Sequence, residues 1–439
     1  MKPKHIKKLL FSEIKNVADS TNKYCYNPEH DFSRNRKLSF ETVLKCIIGI
    51  GSKGLTNELI DIFNQSLDMP SASAFVQQRS KIKPDALKDI FIGFTDKVVS
   101  NLCCNEMRLL AVDGSDIQIA TNPNDETSYF PGSNGQKPYN LLHLNALHDI
   151  KHQVYIDAKM QGKMDLNEHK ALQEMVDCSH IKKALIIADR GYESYNNMAH
   201  IQEKGWFFLI RIKDGKTGIK DGLQLPDEAE FDVNISLNLT RKQTKEMKEL
   251  FKNKNKYKFI PSTTPFDYLP IKSRKNDPVK LYNLKFRVVR FKIGPDSYET
   301  ILTNLPASTY PPTKLNKLYA ARWGIETSFR DLKYTVGMLD FHSKKVTCIH
   351  QEIYAHLIMY NFAEMITSHV VIDKKPRKYT YKANFTVAVH MCRLFFWNKA
   401  SSPSLEAIIS RNLIPIRPDR HRTRNLTVKV FHGFLYRVA

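Results

Sequence analysis

"KALIIADRGY", residues 183–192, runs through five apolar residues and then breaks into aspartate, arginine and glycine. The run is too short for a helix of ordinary length, and it does not alternate as a half-exposed strand would. Apolar side chains on both faces mark a central strand of a covered sheet, and the charged turn is how such a strand ends. Working outward, "RLLAVDGSDIQIA" (108–120), "YNLLHLNALHDI" (139–150) and "QVYIDAKMQG" (153–162) read as three strands before it. "LNEHKALQEMVDC" (166–178) reads as a helix. After it, "SYNNMAHIQEKG" (194–205) is a helix that stops at Gly205, and "WFFLIRIK" (206–213) is a further strand. Three strands, helix, strand, helix, strand predicts an α/β sheet with an antiparallel meander at its start.

The flanks differ in texture. Residues 1–100 read as helices, with "SFETVLKCIIGI" and "GLTNELIDIF" at helical period and good caps on "SASAFVQQRSKI". Arg34, Arg36, Lys37, Lys53, Arg79, Lys81 and Lys83 make this block basic. After the sheet segment, 101–212, residues 213–305 carry the β-type runs "FDVNISLNL", "YNLKFRVVRFKI" and "SYETILTNL" and read as a mostly β insertion. Helical text returns over 306–372, and 373–439 is a basic C-terminal region whose "PIRPDRHRTR" (415–424) reads as extended.

The whole chain holds 67 Lys and Arg against 45 Asp and Glu, a net charge of +22. An excess of that size calls for a polyanionic partner, most simply nucleic acid. No apolar run approaches a membrane span, and Glu13 and Lys15 break the first one, so no signal peptide is expected. The cysteines form no CxxC and no zinc spacing, which predicts reduced thiols in a cytoplasm.

"YAARWGIETSFRDLK", Tyr319 to Lys333, sharpens the choice of partner. On one helix, Tyr319, Arg322, Glu326, Arg330 and Lys333 fall within about a quarter turn of one another at 100° per residue. Ile325, Phe329, Leu332 and Val336 form a separate apolar face. An ordinary solvated face would explain the polar row through i,i+4 pairs worth about 0.3–0.5 kcal/mol each. Asp113 in "AVDGSD" and Asp189 in "IIADRGY" end on neighbouring strands if the sheet is built as above, and Glu326 can approach the same point. Three carboxylates repel unless something positive joins them, and a pair of divalent cations about 3.5–4 Å apart is the usual engine of phosphodiester chemistry. Taken alone, each aspartate reads first as a turn former or helix cap, and Asp116, Asp149, Asp157, Asp165 and Glu193 are rivals.

The spacing Tyr319-x2-Arg322-x3-Glu326-x6-Lys333 matches in full the Y-R-E-K signature of the insertion-sequence-four family of bacterial DDE transposases. "AVDGSD" and "IIADRGY" resemble its two aspartate blocks. "ETILTNL" (299–305), "IHQEIYAHLIMYN" (349–361), "SASAFVQQRSKI" and "PIRPDR" also resemble family text. The resemblance covers almost the whole chain. It implies an RNase H-like catalytic core interrupted by the β insertion, and binding, cutting and joining of DNA at an element's terminal inverted repeats. It implies Asp113, Asp189 and Glu326 as ligands of two Mg2+ ions, with Mn2+ as a substitute. Tyr319, Arg322 and Lys333 match positions that contact DNA backbone; Trp323 and Arg330 join them by helix geometry. A homodimer on paired double-stranded DNA ends, in the cytoplasm at the nucleoid and away from membranes, completes the implied picture. An RNase H-like nuclease and a catalytically silent DNA-binding relative are the alternatives. Hairpin-forming relatives stack a flipped base on an aromatic ring, for some a tryptophan of the insertion. Trp206, Trp323 and Trp397 all lie outside it here. Of Tyr282, Phe286 and Phe291, the alternation predicts Phe286 in the core; the other two lie nearer the strand ends, where Tyr282 is favoured because a half-exposed site suits its hydroxyl.

Overall fold

The computed structural model of the chain describes residues 1–34, 36–100, 106–132, 137–213, 218–272, 277–370 and 379–416, with the backbone of 435–436. Most of "PIRPDRHRTR" lies outside the described residues. The N-terminal block is helical: α1 (Pro3–Ala18), α2 (Thr21–Tyr24), α3 (Phe40–Gly49), α4 (Leu55–Ile62), α5 (Ala72–Arg79) and α6 (Asp85–Ser100). Ser39 and Ser71 cap α3 and α5 by accepting from the amides of Thr42 and Ala74.

The sheet begins with β1 (Arg108–Ile119), β2 (Tyr129–Phe130), β3 (Tyr139–Asp149) and β4 (Val154–Gln161), followed by α7 (Glu168–Cys178) and β5 (Ala184–Ala188). α8 (Tyr195–Glu203) and β6 (Phe207–Arg211) complete the expected order. Every residue of β5 is fully buried, as its sequence predicts. Gly205, at φ +72°, closes α8 in a conformation that disfavours a side chain. The two-residue β2 was not legible as a strand.

The segment from 213 onward contributes β7 (Phe231–Thr240), α9 (Lys245–Leu250), β8 (Tyr257–Phe259), β9 (Tyr282–Gly294) and β10 (Ser297–Thr303). These strands extend the same sheet, in the order β2–β3–β1–β5–β6–β10–β9–β7–β8, with β4 also on β3. β3 runs antiparallel to β1, whereas β5 and β6 run parallel to it. β10 returns antiparallel on β6.

α10 (Pro312–Ala320) and α11 (Trp323–Arg330) follow, then the short β11 (Asp340–Phe341) and α12 (Val346–Thr367). α12 is buried nearly all round and packs on α1, α3, α6 and β4, so it spans the gap between the helical block and the sheet. Its Asn361 accepts from the amide of Tyr155 and donates to that residue's carbonyl, both at 2.8 Å, which satisfies the outer edge of β4. β12 (Thr380–Ala383), α13 (Phe385–Phe396), α14 (Ser402–Arg411) and β13 (Leu413–Ile416) follow, and β14 (Leu435–Tyr436) pairs parallel with β11. No helix among the described residues is long and apolar enough to cross a membrane.

Candidate active site

The sheet register brings the two aspartates together. Ala111 of β1 lies opposite Ile187 of the parallel β5. Asp113 and Asp189 are each two residues further on, so they share a face, Asp113 in the middle of β1 and Asp189 just past the end of β5. Asp189 also caps the turn after β5, accepting from Arg190 N at 2.6 Å. Glu326 stands in the first turn of α11, which packs on β1.

Two arginines and a tyrosine tie these acids together. Arg322 donates to Glu326 Oε1 at 2.8 Å and reaches Asp113 Oδ2 at 3.5 Å. Arg211, at the end of β6, donates to Asp189 Oδ1 from Nε at 2.9 Å and to Glu299 Oε1 at 3.2 Å. The Tyr319 hydroxyl donates to Asp189 Oδ1 at 3.4 Å. Its ring centroid lies 5.8 Å from the Arg211 guanidinium and 5.9 Å from that of Arg322.

Burial pushes the Asp113 carboxyl up to about 6; Glu326 and Asp189 push the same way, while the Gly114 amide and Arg322 oppose them. Asp189 is also raised by burial, but the Arg190 amide and the two arginines outweigh that and leave it below the ordinary carboxylate range. Burial drives the Tyr319 hydroxyl up to about 12, helped by Asp189.

The expected helix over 319–333 is not continuous. Tyr319 belongs to α10, and Arg322 stands at the start of α11. Between them the amides of Arg322, Gly324 and Ile325 bond three residues back, a tighter turn that suits the poor helix former Gly324. Residues 331–336 widen into a π turn. The apolar face survives, with Ile325, Leu332 and Val336 fully buried. The polar row does not stay level. Arg322 is buried, Lys333 donates to the Asp116 carbonyl at 2.8 Å, and Arg330 and Trp323 are exposed.

Most rival acids have other work. Asp149 pairs with Arg108 and His152; Glu193 accepts from the amides of Ile219 and Lys213; Asp157 accepts from the Ala158 amide. Asp116 pairs with His143 at 2.7 Å. Tyr282 is not at the site. Its ring packs on Phe266 and Tyr268, and its hydroxyl donates to Glu203. Val289 lies level with Ile301 and hence with Arg211, and Tyr282 is seven residues further along β9, roughly 23 Å away. Phe286 and Phe291 are both core residues.

A family model for the transposase DDE domain matches residues 105–362, more than half of the 439 residues. The chain belongs to the DDE transposase family. This transposase is 22% identical over 344 residues to the Escherichia coli K12 transposase InsG of insertion sequence element IS4, covering 75% of this chain and 70% of that protein. The pair places it among the insertion-sequence-four transposases, enzymes of DNA transposition. A cryo-EM structure of a piggyBac transposase synaptic complex with hairpin DNA aligns over 98% of this chain and 88% of the other at a TM-score of 0.46 and 11% identity.

Among the described residues of the transposase, no three His, Cys, Asp or Glu side chains stand together closely enough to hold a metal ion. Arg322 lies between Asp113 and Glu326 instead. The donor set nevertheless fits a hard divalent cation: its groups are carboxylate oxygens, and Asp113 is held up by burial and by its two acidic neighbours.

Three features escaped the sequence reading. Arg211 showed as a charge ending an apolar strand, but only the fold aims it at Asp189. His143 lies 2.9 Å from Glu168 Oε1 as well as against Asp116, and a Cβ on Gly114 would collide with both His143 and Glu168. Tyr298 sits on β10 beside Glu299, with the Arg290 guanidinium 4.8 Å from its ring centroid.

Proposed function

We propose that this transposase binds the terminal inverted repeats of an insertion sequence, cleaves the DNA ends and joins them to target DNA. Asp113, Asp189 and Glu326 hold two divalent ions, Mg2+ with Mn2+ as a substitute. The observation that carries this reading is the matched two-residue offset of Asp113 and Asp189 beyond a parallel pair, faced by Glu326 on α11. The strand order β4–β3–β1–β5–β6, with two antiparallel and two parallel pairings, supports an RNase H-like core. We read 1–100 as the DNA-binding helical domain, 213–305 as the insertion and 373–439 as the basic C-terminal region. The working form is a homodimer on paired ends at the nucleoid.

When bound, the cations supply charge stabilisation for phosphodiester cleavage and transfer. The protein's own groups order the site around them. Arg322 releases Asp113 and Glu326 and turns its guanidinium to the phosphate. Arg211 and Tyr319 hold Asp189 in place, and Lys333 and Arg330 extend the phosphate track with Trp323 beside them. If the ends pass through a hairpin, the ring for the flipped base is Tyr298, which lies at the Asp189 end of the sheet. A 2-aminopurine at the flanking base then brightens on binding and brightens less with Tyr298→Ala; an unchanged signal removes that tyrosine.

The direct test is cleavage of end DNA. Asp113→Asn, Asp189→Asn and Glu326→Gln are each expected to lower cutting on the order of 10⁴-fold, since each ion is worth several kcal/mol, while end binding persists. A variant that still cuts well leaves the triad. Cutting without joining in the wild type would make the chain a nuclease.

A further inference from the structure

A cavity of about 1030 Å³ opens beside Asp189, on the face of the sheet away from Glu326. Alternate residues of β1 define the two faces: Asp113 meets Arg322 of the α10–α11 side, and Gly114 lies under Glu168 of α7. The cavity is walled by the first turns of α7 and α8 and by the β8 region of the insertion. Lys170, Arg190, Lys213 and Lys258 line it.

None of these four cations forms an ion pair with a carboxylate among the described residues, whereas both acids of the wall are committed. Asp189 is held by Arg211 and the Arg190 amide. Glu193 accepts from Ile219 N at 2.5 Å and Lys213 N at 3.3 Å. The amino ends of α7 and α8 add the positive ends of two helix dipoles. Lys258 lies 5.6 Å from the centroid of the Tyr195 ring and is partly desolvated. The wall is thus electropositive and leads directly to one of the carboxylates.

We infer that this cavity receives the flanking DNA strand beyond the cut, gripping its phosphates with Lys170, Lys213, Lys258 and Arg190. This rests on the proposed cleavage of element ends. A phosphodiester at Asp113 and Asp189 lies at the carboxyl end of β5, with Arg322, Arg330 and Lys333 on one face and the cavity on the other. A strand crossing over that end therefore has one arm on each side. The Y-R-E-K row takes the element end, and the cavity takes the donor side.

The experiment compares two DNA probes, an uncut end that carries flanking duplex and a pre-cut end that lacks it. Lys170 and Lys213 are exposed, so Lys170→Gln/Lys213→Gln does not threaten folding. The double variant is expected to bind the uncut probe about tenfold more weakly, with the slope of log K against log salt reduced by about 0.9 per lost phosphate contact. The pre-cut probe should lose less than about threefold. Lys170→Glu/Lys213→Glu should widen the gap. Equal losses on both probes, or none on the uncut probe, overturn the assignment while leaving the transposase reading intact. A wild type that neither prefers nor cuts end DNA defeats that reading and this inference together.

Discussion

Arg79, Gln351, Glu352 and His342 form one ionic cluster of this molecule, and Asp113, Asp189, Glu326 and Glu299 with Arg322 and Arg211 form another from similar chemistry. In the first, every group is closed off and satisfied. Arg79 pairs with Glu352 at 2.7 Å, donates to Gln351 at 2.8 Å and bonds the Cys348 carbonyl. His342 faces Glu352 at 3.2 Å and the Lys53 carbonyl at 2.8 Å. Arg79 and Glu352 are only 1% and 2% exposed. This cluster fastens α5 to α12 and so holds the helical block against the sheet. In the second cluster, acids outnumber what their arginines can neutralise, and Asp113 is left strained toward its protonated form. Closed-off, paired charges hold the fold; on the function proposed above, the half-exposed acids around Asp113 are kept for a ligand.

Breaking the satisfied cluster should give the largest change in stability. Glu352→Gln or Arg79→Met leaves a buried partner uncompensated and is expected to remove about 3–5 kcal/mol, lowering the melting temperature by about 3–5 °C for a chain of this length. Loss near zero would show that the cluster is not a fastening. Its pH dependence has a defined sign. Burial by itself would raise the Glu352 carboxyl, but Arg79 and His342 outweigh it and bring it down to about 2 from an ordinary 4.5. Its contribution is full above 4.5 and is lost as pH falls toward 2. His342 is opposed by burial but raised by Glu352, so its share is full below its ordinary 6.5 and lost once pH rises past its folded value. The fastening is therefore strongest between about 4.5 and 6.5, and a melting-temperature profile that rises steadily across that window would contradict it.

A smaller effect is expected on the phosphate track. Lys333→Ala should reduce the slope of log K against log salt for end DNA by about 0.9. An unchanged slope would return that lysine to an ordinary role in holding the Asp116 carbonyl.

Much of this was legible from local pattern. The fully apolar "ALIIA" marks a central strand, the meander before it follows from alternation, and the Y-R-E-K spacing points to the helix that the fold packs on β1. What was not legible depended on distant partners. Nothing near Arg211 in sequence announces Asp189, because β6 and β5 are joined through a helix. The break at Ala321–Arg322 was hidden because helical period assumes 100° throughout, while Gly324 and the ties of Arg322 to two acids favour a tighter turn. Tyr282 reads from sequence as a strand-end residue, but which strand end meets Asp189 is set by the antiparallel return of β10, a fact of topology alone.

Asp113 offers the sharpest measurement. Its raised carboxyl means that, above about pH 6, the free protein carries an ionised group that burial and its acidic neighbours oppose. Asp113→Asn should then melt about 1–2 °C above the wild type at pH 7.5 without metal. The gap should shrink as pH falls below 6, where the wild-type carboxyl takes up its proton. Adding Mn2+ should reverse the order, because the wild type gains a ligand-bound state that the variant largely lacks. If the variant is less stable than the wild type without metal, or if Mn2+ raises both proteins equally, the acids at the end of β5 are not a strained site awaiting cations.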